Sequence, residues 1–200
     1  MGVKWKTVAN HIPAMETRLD GINRKKVIVG ALTGEHAWLA GIHEYGANVR
    51  ATKAQYLTVP VHPDAYGRKA SSFPDLFCIK SKKGNLLLVK SEGDSIIPFY
   101  WLTKEIKIPE RAFLRNGHDE NAERIITQTE RMLPLVMAGK ASIDDMCNEL
   151  GRQLSTAIKE YMGKTDANSP LTVAVKGSDT PLTGQTGGLV EKSITWEVKG

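Results

Sequence analysis

The sequence predicts an α+β fold: a small mixed or antiparallel sheet packed on a long amphipathic helix plus shorter helices, with an inserted β-hairpin arm. Three observations predict it. Helical periodicity occurs both before and after the strand-like runs, with no regular βαβ alternation. Ile143, Met146, Cys147, Leu150, Leu154, Ala157, Ile158, Tyr161 and Met162 hold the helical period over about five turns. Between the helical parts, two short apolar runs flank a Gly-Asn turn.

The elements follow in order. Ile12, Met15, Leu19 and Ile22 recur at helical spacing, with Pro13 in a first turn, where its missing N–H costs nothing. Gly21 and Asn23 are read as the stop. Lys26–Leu32 is a β-branched run ending at Thr33-Gly34, which predicts a buried strand. His36–Tyr45 reads as a second, short helix with Gly46 just past its end. Residues 49–58 turn polar and irregular, and residues 59–74 are rich in Pro, Gly and Ser.

Leu76–Lys80 and Leu86–Lys90 then flank Ser81-Lys-Lys-Gly-Asn85 as a hairpin. A third strand is predicted over Ile96–Trp101, after a Glu92-Gly-Asp turn. Residues 50–104 thus read as an inserted β-arm with a lysine-rich tip, and residues 1–49 and 105–200 as a discontinuous core domain. Ile106–Leu114 is read as extended, because Pro109 holds the residue before it out of the α region. Asp119 is read as the start of a helix that Pro134 kinks or ends. Ser142-Ile-Asp-Asp145 is a capping-box start for the long helix, which Gly163 stops. Residues 165–188 are rich in Gly, Ser, Thr and Pro, and Ser193–Val198 alternates as a closing strand.

Composition bounds the function. The chain has 200 residues, 41% hydrophobic and 24% charged, which is globular and not disordered, collagenous or coiled coil. Aromatics at 6% argue against a stacking platform for single-stranded nucleic acid. No apolar run approaches the roughly 18 residues that span a bilayer. The first residues lack an apolar h-region, so no secretory signal is expected. Cys78 and Cys147 make no disulfide framework, and a reducing compartment is the default. The net charge of +5 is uneven: residues 1–53 and 54–118 each carry an excess of +4, and residues 119–200 carry −3. Such a dipolar subunit suits head-to-tail packing. The basic residues are dispersed, whereas a nucleic-acid module concentrates them on one element.

No catalytic or cofactor constellation is legible, and no cofactor is expected. None of His11, His36, His43, His62 and His118 is spaced for zinc, and His43-Glu44 lacks a second histidine four residues from the first. Cys147 and Cys78 read as small core residues and not as nucleophiles. No G-x-S-x-G elbow occurs. Gly184-Gln-Thr-Gly-Gly188 lacks the strand-then-helix setting of a phosphate loop and reads as a turn. Asp119-Glu120 and Asp144-Asp145 sit at predicted helix starts, where the dipole explains them.

Three stretches in order carry a resemblance: Ile42-His-Glu-Tyr-Gly46, Ile108-Pro-Glu-Arg-Ala-Phe-Leu114, and Lys176–Leu189 leading into Ser193-Ile-Thr-Trp196. Together they resemble the neck and tail-completion proteins of tailed bacteriophages, including the virion-morphogenesis family of Mu-like phages. The resemblance spans about residues 20–200. It departs from the family pattern at Ala112, where a proline is common, and at Gln185 and Gly187-Gly188. Both departures are expected to leave the backbone unchanged.

The resemblance implies a non-enzymatic virion structural protein at the head–tail junction, made in the cytoplasm of the bacterial host. Its implied partners are its own copies in a ring, commonly of six, the head connector or adaptor, and tail terminator or tube proteins. DNA in the channel is a secondary, sequence-blind contact, and no membrane is involved. Expected roles are structural. Tyr45 and Gly46 end the short helix and set the entry to the arm. Arg111 and Phe113 anchor its return, with Phe113 buried and Arg111 paired to an acid, and Pro109 belongs to the same structural motif. Leu189, Ile194 and Trp196 pack the final strand on the long helix. Lys80, Lys82, Lys83 and Lys90 reach a neighbouring subunit or ring.

Two other readings compete with this one. A DNA-binding or packaging accessory protein is favoured by an isoelectric point near 9.1. An enzyme would have its site around His43, Glu44 and Tyr45.

Overall fold

A computed structural model describes residues 11–182 and 193–200. Among these residues, six α-helices and three small antiparallel sheets make an α+β fold. Helix α1 (Ile12–Arg24) carries Pro13 in its first turn. It runs through Gly21, which is not a stop. A side chain there would meet Ile143 Cδ1 at 2.7 Å, so the glycine makes room for the start of a later helix. The predicted apolar stripe of α1 is present but uncovered: Ile12, Met15 and Leu19 are 62%, 40% and 45% exposed.

Strand β1 (Lys26–Ala31) alternates between exposed and half-buried positions, with Gly30 buried, where a buried strand was expected. Helix α2 (Gly34–Tyr45) follows and ends at Gly46, whose φ of 70° a side chain would resist. A Cβ on Gly46 would also lie 2.9 Å from the Glu110 amide nitrogen, so close backbone approach demands glycine a second time.

Strand β2 (Ala47–Arg50) leads out and β7 (Glu105–Ile108) leads back, pairing antiparallel from Ala47 opposite Ile108 to Arg50 opposite Glu105. Beyond this ladder lie β3 (Leu57–Pro60), β4 (Phe77–Lys80), β5 (Leu86–Glu92) and β6 (Ser95–Thr103), in the order β3-β6-β5-β4. The predicted hairpin is β4–β5, and its turn closes through Gly84 N–H to the Ser81 carbonyl at 2.8 Å. Pro98 lies inside β6 at no cost to a ladder with β3. That strand ends opposite Tyr100, and the pairing to β5 has a bulge at Leu88/Val89, next to Pro98.

The register reverses one expectation. Leu86 pairs with Leu102 and Glu92 with Ser95, so Ser81–Asn85 lies at the root end of the sheet. The far tip is the acidic turn Glu92-Gly93-Asp94, and the lysine-rich turn is not the tip. The Pro/Gly/Ser-rich segment also does more than connect. It forms two 3-10 turns (Pro63–Ala65 and Ala70–Ser72) that cover one sheet face. Ala65, Phe99 and Tyr100 are buried there, with Phe73 edge-on to Phe99 and the Tyr100 hydroxyl donating to the Arg68 carbonyl at 3.1 Å.

After β7 the extended stretch is shorter than expected. Ala112 turns the chain in the left-handed region (φ 46°, ψ 36°), and α3 (Phe113–Asp119) starts at once. Proline is locked near φ −65° and cannot adopt this conformation, so Ala112 is not a backbone-neutral replacement for it. Asp119 ends α3 and does not open α4 (Ala122–Met137), which begins after Asn121 and ends within a turn of Pro134. Helix α5 (Ile143–Met162) has the predicted capping box: Ser142 Oγ accepts the Asp145 amide at 3.0 Å, and Asp145 accepts the Ser142 amide at 3.1 Å. Helix α6 (Pro170–Lys176), from Ser169 as cap to Gly177, occupies part of the segment read as tail.

Strand β8 (Ile194–Lys199) pairs antiparallel with β1, and this two-stranded sheet packs on α5. The core joins Ala40, Phe113, Ile158, Met162, Leu182 and Ile194. Two glycines set its tightest approaches. A Cβ on Gly117 would lie 3.0 Å from Ile158 Cα, so α3 crosses α5 backbone to backbone. A Cβ on Gly151 would overlap the Trp196 ring, whose Nε1 donates to Asn148 Oδ1 at 3.1 Å.

Candidate functional site

Two of the three stretches that carry the resemblance meet in space. The end of α2, His43-Glu44-Tyr45-Gly46, docks on Pro109–Arg115 at the root of the insertion. The chain is tied backbone to backbone first. Arg111 N–H donates to the His43 carbonyl at 2.8 Å and Ala112 N–H to the Glu44 carbonyl at 3.2 Å. With Gly46 under Glu110, these bonds hold the outgoing and returning strands together.

Side chains then lock the clasp. Glu44 is 2% exposed. Its carboxylate accepts the amides of Leu114 at 2.8 Å and Arg115 at 3.1 Å, both in the first turn of α3, where N–H groups otherwise lack partners. It also accepts Arg115 Nε at 2.8 Å. Arg115 Nη2 adds bonds to the Glu44 carbonyl at 2.9 Å and to Glu110 Oε1 at 2.6 Å. Its guanidinium lies 4.9 Å from the centre of the Tyr45 ring. Asn116 Nδ2, one residue on, donates to the Tyr161 hydroxyl at 3.0 Å and ties the clasp to α5.

Arg111 differs from expectation. No acid among the described residues forms an ion pair with it; the acids of this region, Glu44 and Glu110, are taken by Arg115. Arg111 Nη1 instead donates to His43 Nδ1 at 3.3 Å, and its Nε is buried without a hydrogen-bond partner. Burial, reinforced by the Arg111 charge, lowers the His43 pKa below the usual 6.5. The imidazole is therefore neutral near pH 7, with Nδ1 as acceptor.

The other predicted residues are distributed as follows. Phe113 is fully buried, as expected. Tyr45 is 68% exposed and serves as a platform for Arg115. Pro109 directly follows β7. Lys80, Lys82 and Lys83 are exposed, but at the root end of the sheet. Lys90 pairs with Asp75 at 3.1 Å. Ile194 and Trp196 pack on the long helix, and Leu189 lies outside the described residues, as does Gly184–Gly188.

Cys147 is buried, and burial raises its thiol pKa. Cys78 is exposed and is not the core residue expected. No group of three or more His, Cys, Asp or Glu able to hold a metal occurs among the described residues. No described helix is long and apolar enough to cross a membrane.

Sequence reasoning missed Arg115 and the structural role of Glu44. One signal was available: an acid before the helix-ending glycine, paired with a basic residue two positions past Phe113. Chemically, the arrangement ties. The side-chain hydrogen bonds of His43 and Glu44 all hold the returning chain. No family model, no curated protein and no solved structure matches this chain.

Proposed function

We propose that this protein is a structural component of a tailed-phage or prophage virion that forms a ring at the head–tail junction. One observation carries the reading. The first two of the three stretches that resemble neck and tail-completion proteins lie more than 60 positions apart in sequence, yet form one hydrogen-bonded clasp. A motif pair that resembles a family and also meets in space is stronger support than either stretch alone.

Two further features favour association through surfaces. Residues 1–118 carry the charge excess and residues 119–200 the opposite bias along the sequence, which suits a heterologous interface. The sheet of the insertion also leaves β3 and β4 as free edges and presents Phe77 and Ile96 to solvent at 43% and 56% exposure. Contact with DNA in a channel is secondary and sequence-blind.

The test is the solution mass of the purified protein, alone and mixed with isolated tail tubes and heads. A closed oligomer, or a monomer that sediments with tails or heads, is the expected result. A monomer that joins neither would sink the reading. Filter binding at two salt concentrations separates the DNA-binding alternative, which requires tight and steeply salt-dependent affinity.

A further inference from the structure

Two unmatched features lie at opposite ends of the insertion. At its root, a groove of about 550 Å³ runs between β7, the clasp and the residues leading into α6. Val59, Trp101, Ile106, Ile108 and Leu171 make its apolar walls, and Arg111 lines it. Arg111 has no ion pair with a described acid, and its Nε is the one buried side-chain nitrogen or oxygen without a hydrogen bond among the described residues. It lowers the pKa of His43, and after burial it is the second cause lowering that of Lys176, whose ammonium donates to the Thr180 carbonyl. A half-buried guanidinium whose Nε is shielded from solvent and has an open donor favours a carboxylate. Asp166 and Glu110 also border the groove, but Glu110 is held by Arg115 and Asp166 makes no ion pair with Arg111.

At the far end, residues 91–96 are all exposed. The tip Glu92-Gly93-Asp94 carries two carboxylates that form no ion pair with any described residue, and Ile96 beside them is 56% exposed. An acidic hairpin tip with one apolar anchor complements a groove with one uncompensated arginine and apolar walls. A subunit cannot satisfy itself in this way. Trp101 lines the groove and Ser95 opens the tip, and six residue steps along β6 separate them by roughly 20 Å.

We propose that the tip of one copy, Glu92, Asp94 and Ile96, docks into the groove beside Arg111 of a second copy. Tip and groove are different patches, so the contact is heterologous, and repetition closes a ring or extends a filament. The inference deepens the ring reading above by naming its subunit contact.

The test pairs charge reversal with cross-linking in the full-length chain. Glu92→Lys with Asp94→Lys alters only exposed tip residues and is expected to weaken self-association about tenfold or more. Adding Arg111→Glu to that variant restores it, because a basic tip then meets an acidic groove. Separately, with Cys78 and Cys147 replaced by serine, Ile96→Cys and Leu171→Cys together are expected to form an intersubunit disulfide on mild oxidation, whereas neither alone does. Unchanged association of the tip variant, or no disulfide, overturns the proposal. So does a protein that stays monomeric at high concentration and yields no disulfide. The outcomes separate the two readings: tail or head binding without the disulfide overturns the contact alone, and the disulfide without tail or head binding overturns the virion reading alone.

Discussion

Glu44 accepts Arg115 Nε at 2.8 Å across 71 positions of sequence, and the acid is buried while the base is half exposed. The pair is asymmetric. Glu44 also takes two backbone amides, so removing it strands three donors at the start of α3, whereas removing Arg115 leaves the carboxylate with both amides.

Glu44→Ala is therefore expected to cost about 3 kcal/mol, in line with the loss of hydrogen bonds to a buried charged group. Arg115→Ala is expected to cost less, because its guanidinium is screened by solvent. Urea denaturation of the two variants checks the order. Equal losses would mean that the ion pair, and not the capping of α3, carries the clasp.

Ala112 holds a left-handed conformation that costs a residue with a Cβ about 1 kcal/mol. Ala112→Gly is expected to be neutral or to raise stability by up to about 1 kcal/mol, the gain being offset in part by glycine's greater freedom when unfolded. Ala112→Pro is expected to prevent folding of the clasp. Thermal unfolding of both variants reads the contrast.

Gly151 lies beneath the Trp196 ring. Gly151→Ala is expected to destabilise by about 2 kcal/mol through overpacking, despite alanine's better helix propensity. Trp196→Leu, which shortens the overlying side chain, is expected to relieve part of that cost. A double-mutant cycle measures the coupling, and strict additivity would disprove the contact.

His43 couples stability to pH. Its folded pKa is below the ordinary 6.5, so below pH 6.5 the unfolded chain binds a proton that the folded chain resists. Stability is thus expected to fall as pH drops from 6.5 through the folded pKa, and to be unaffected by this group above 6.5. Urea midpoints between pH 5 and 8 would show the slope, and His43→Gln is expected to flatten it.

A second pH window lies lower. Glu149 has its pKa lowered from 4.5 to about 2 by hydrogen bonds from Arg152 and Gln153. Its contribution is present above pH 4.5 and is lost as pH falls toward 2. Partial exposure of both partners keeps the effect small. Glu149→Gln is expected to reduce the acid sensitivity of unfolding in that window alone.

Local features were legible in the chain by itself. The five-turn period of α5 with its Ser142–Asp145 capping box, Pro13 in the first turn of α1, Gly46 past α2 and the β4–β5 hairpin each depend on residues a few positions apart. Burial of Phe113 and packing of Trp196 on α5 were expected from the resemblance and not from patterning alone. What required the tertiary structure is what depends on distant partners: β1 with β8, β2 with β7, and Glu44 with α3.

No periodicity states which strand closes a ladder across more than 150 positions, because loop-closure entropy grows only slowly with length and leaves many pairings open. The same holds for charge. Sequence placed lysines in a hairpin turn and a basic residue at Arg111. The register of β5 against β6 put the lysines at the root and Glu92 and Asp94 at the tip. The left-handed turn at Ala112 separates Arg111, set against His43, from Arg115, set against Glu44. The sequence alone determined the α+β class and its strongest elements. Only the folded backbone decided which arginine found an acid and which was left beside an open groove.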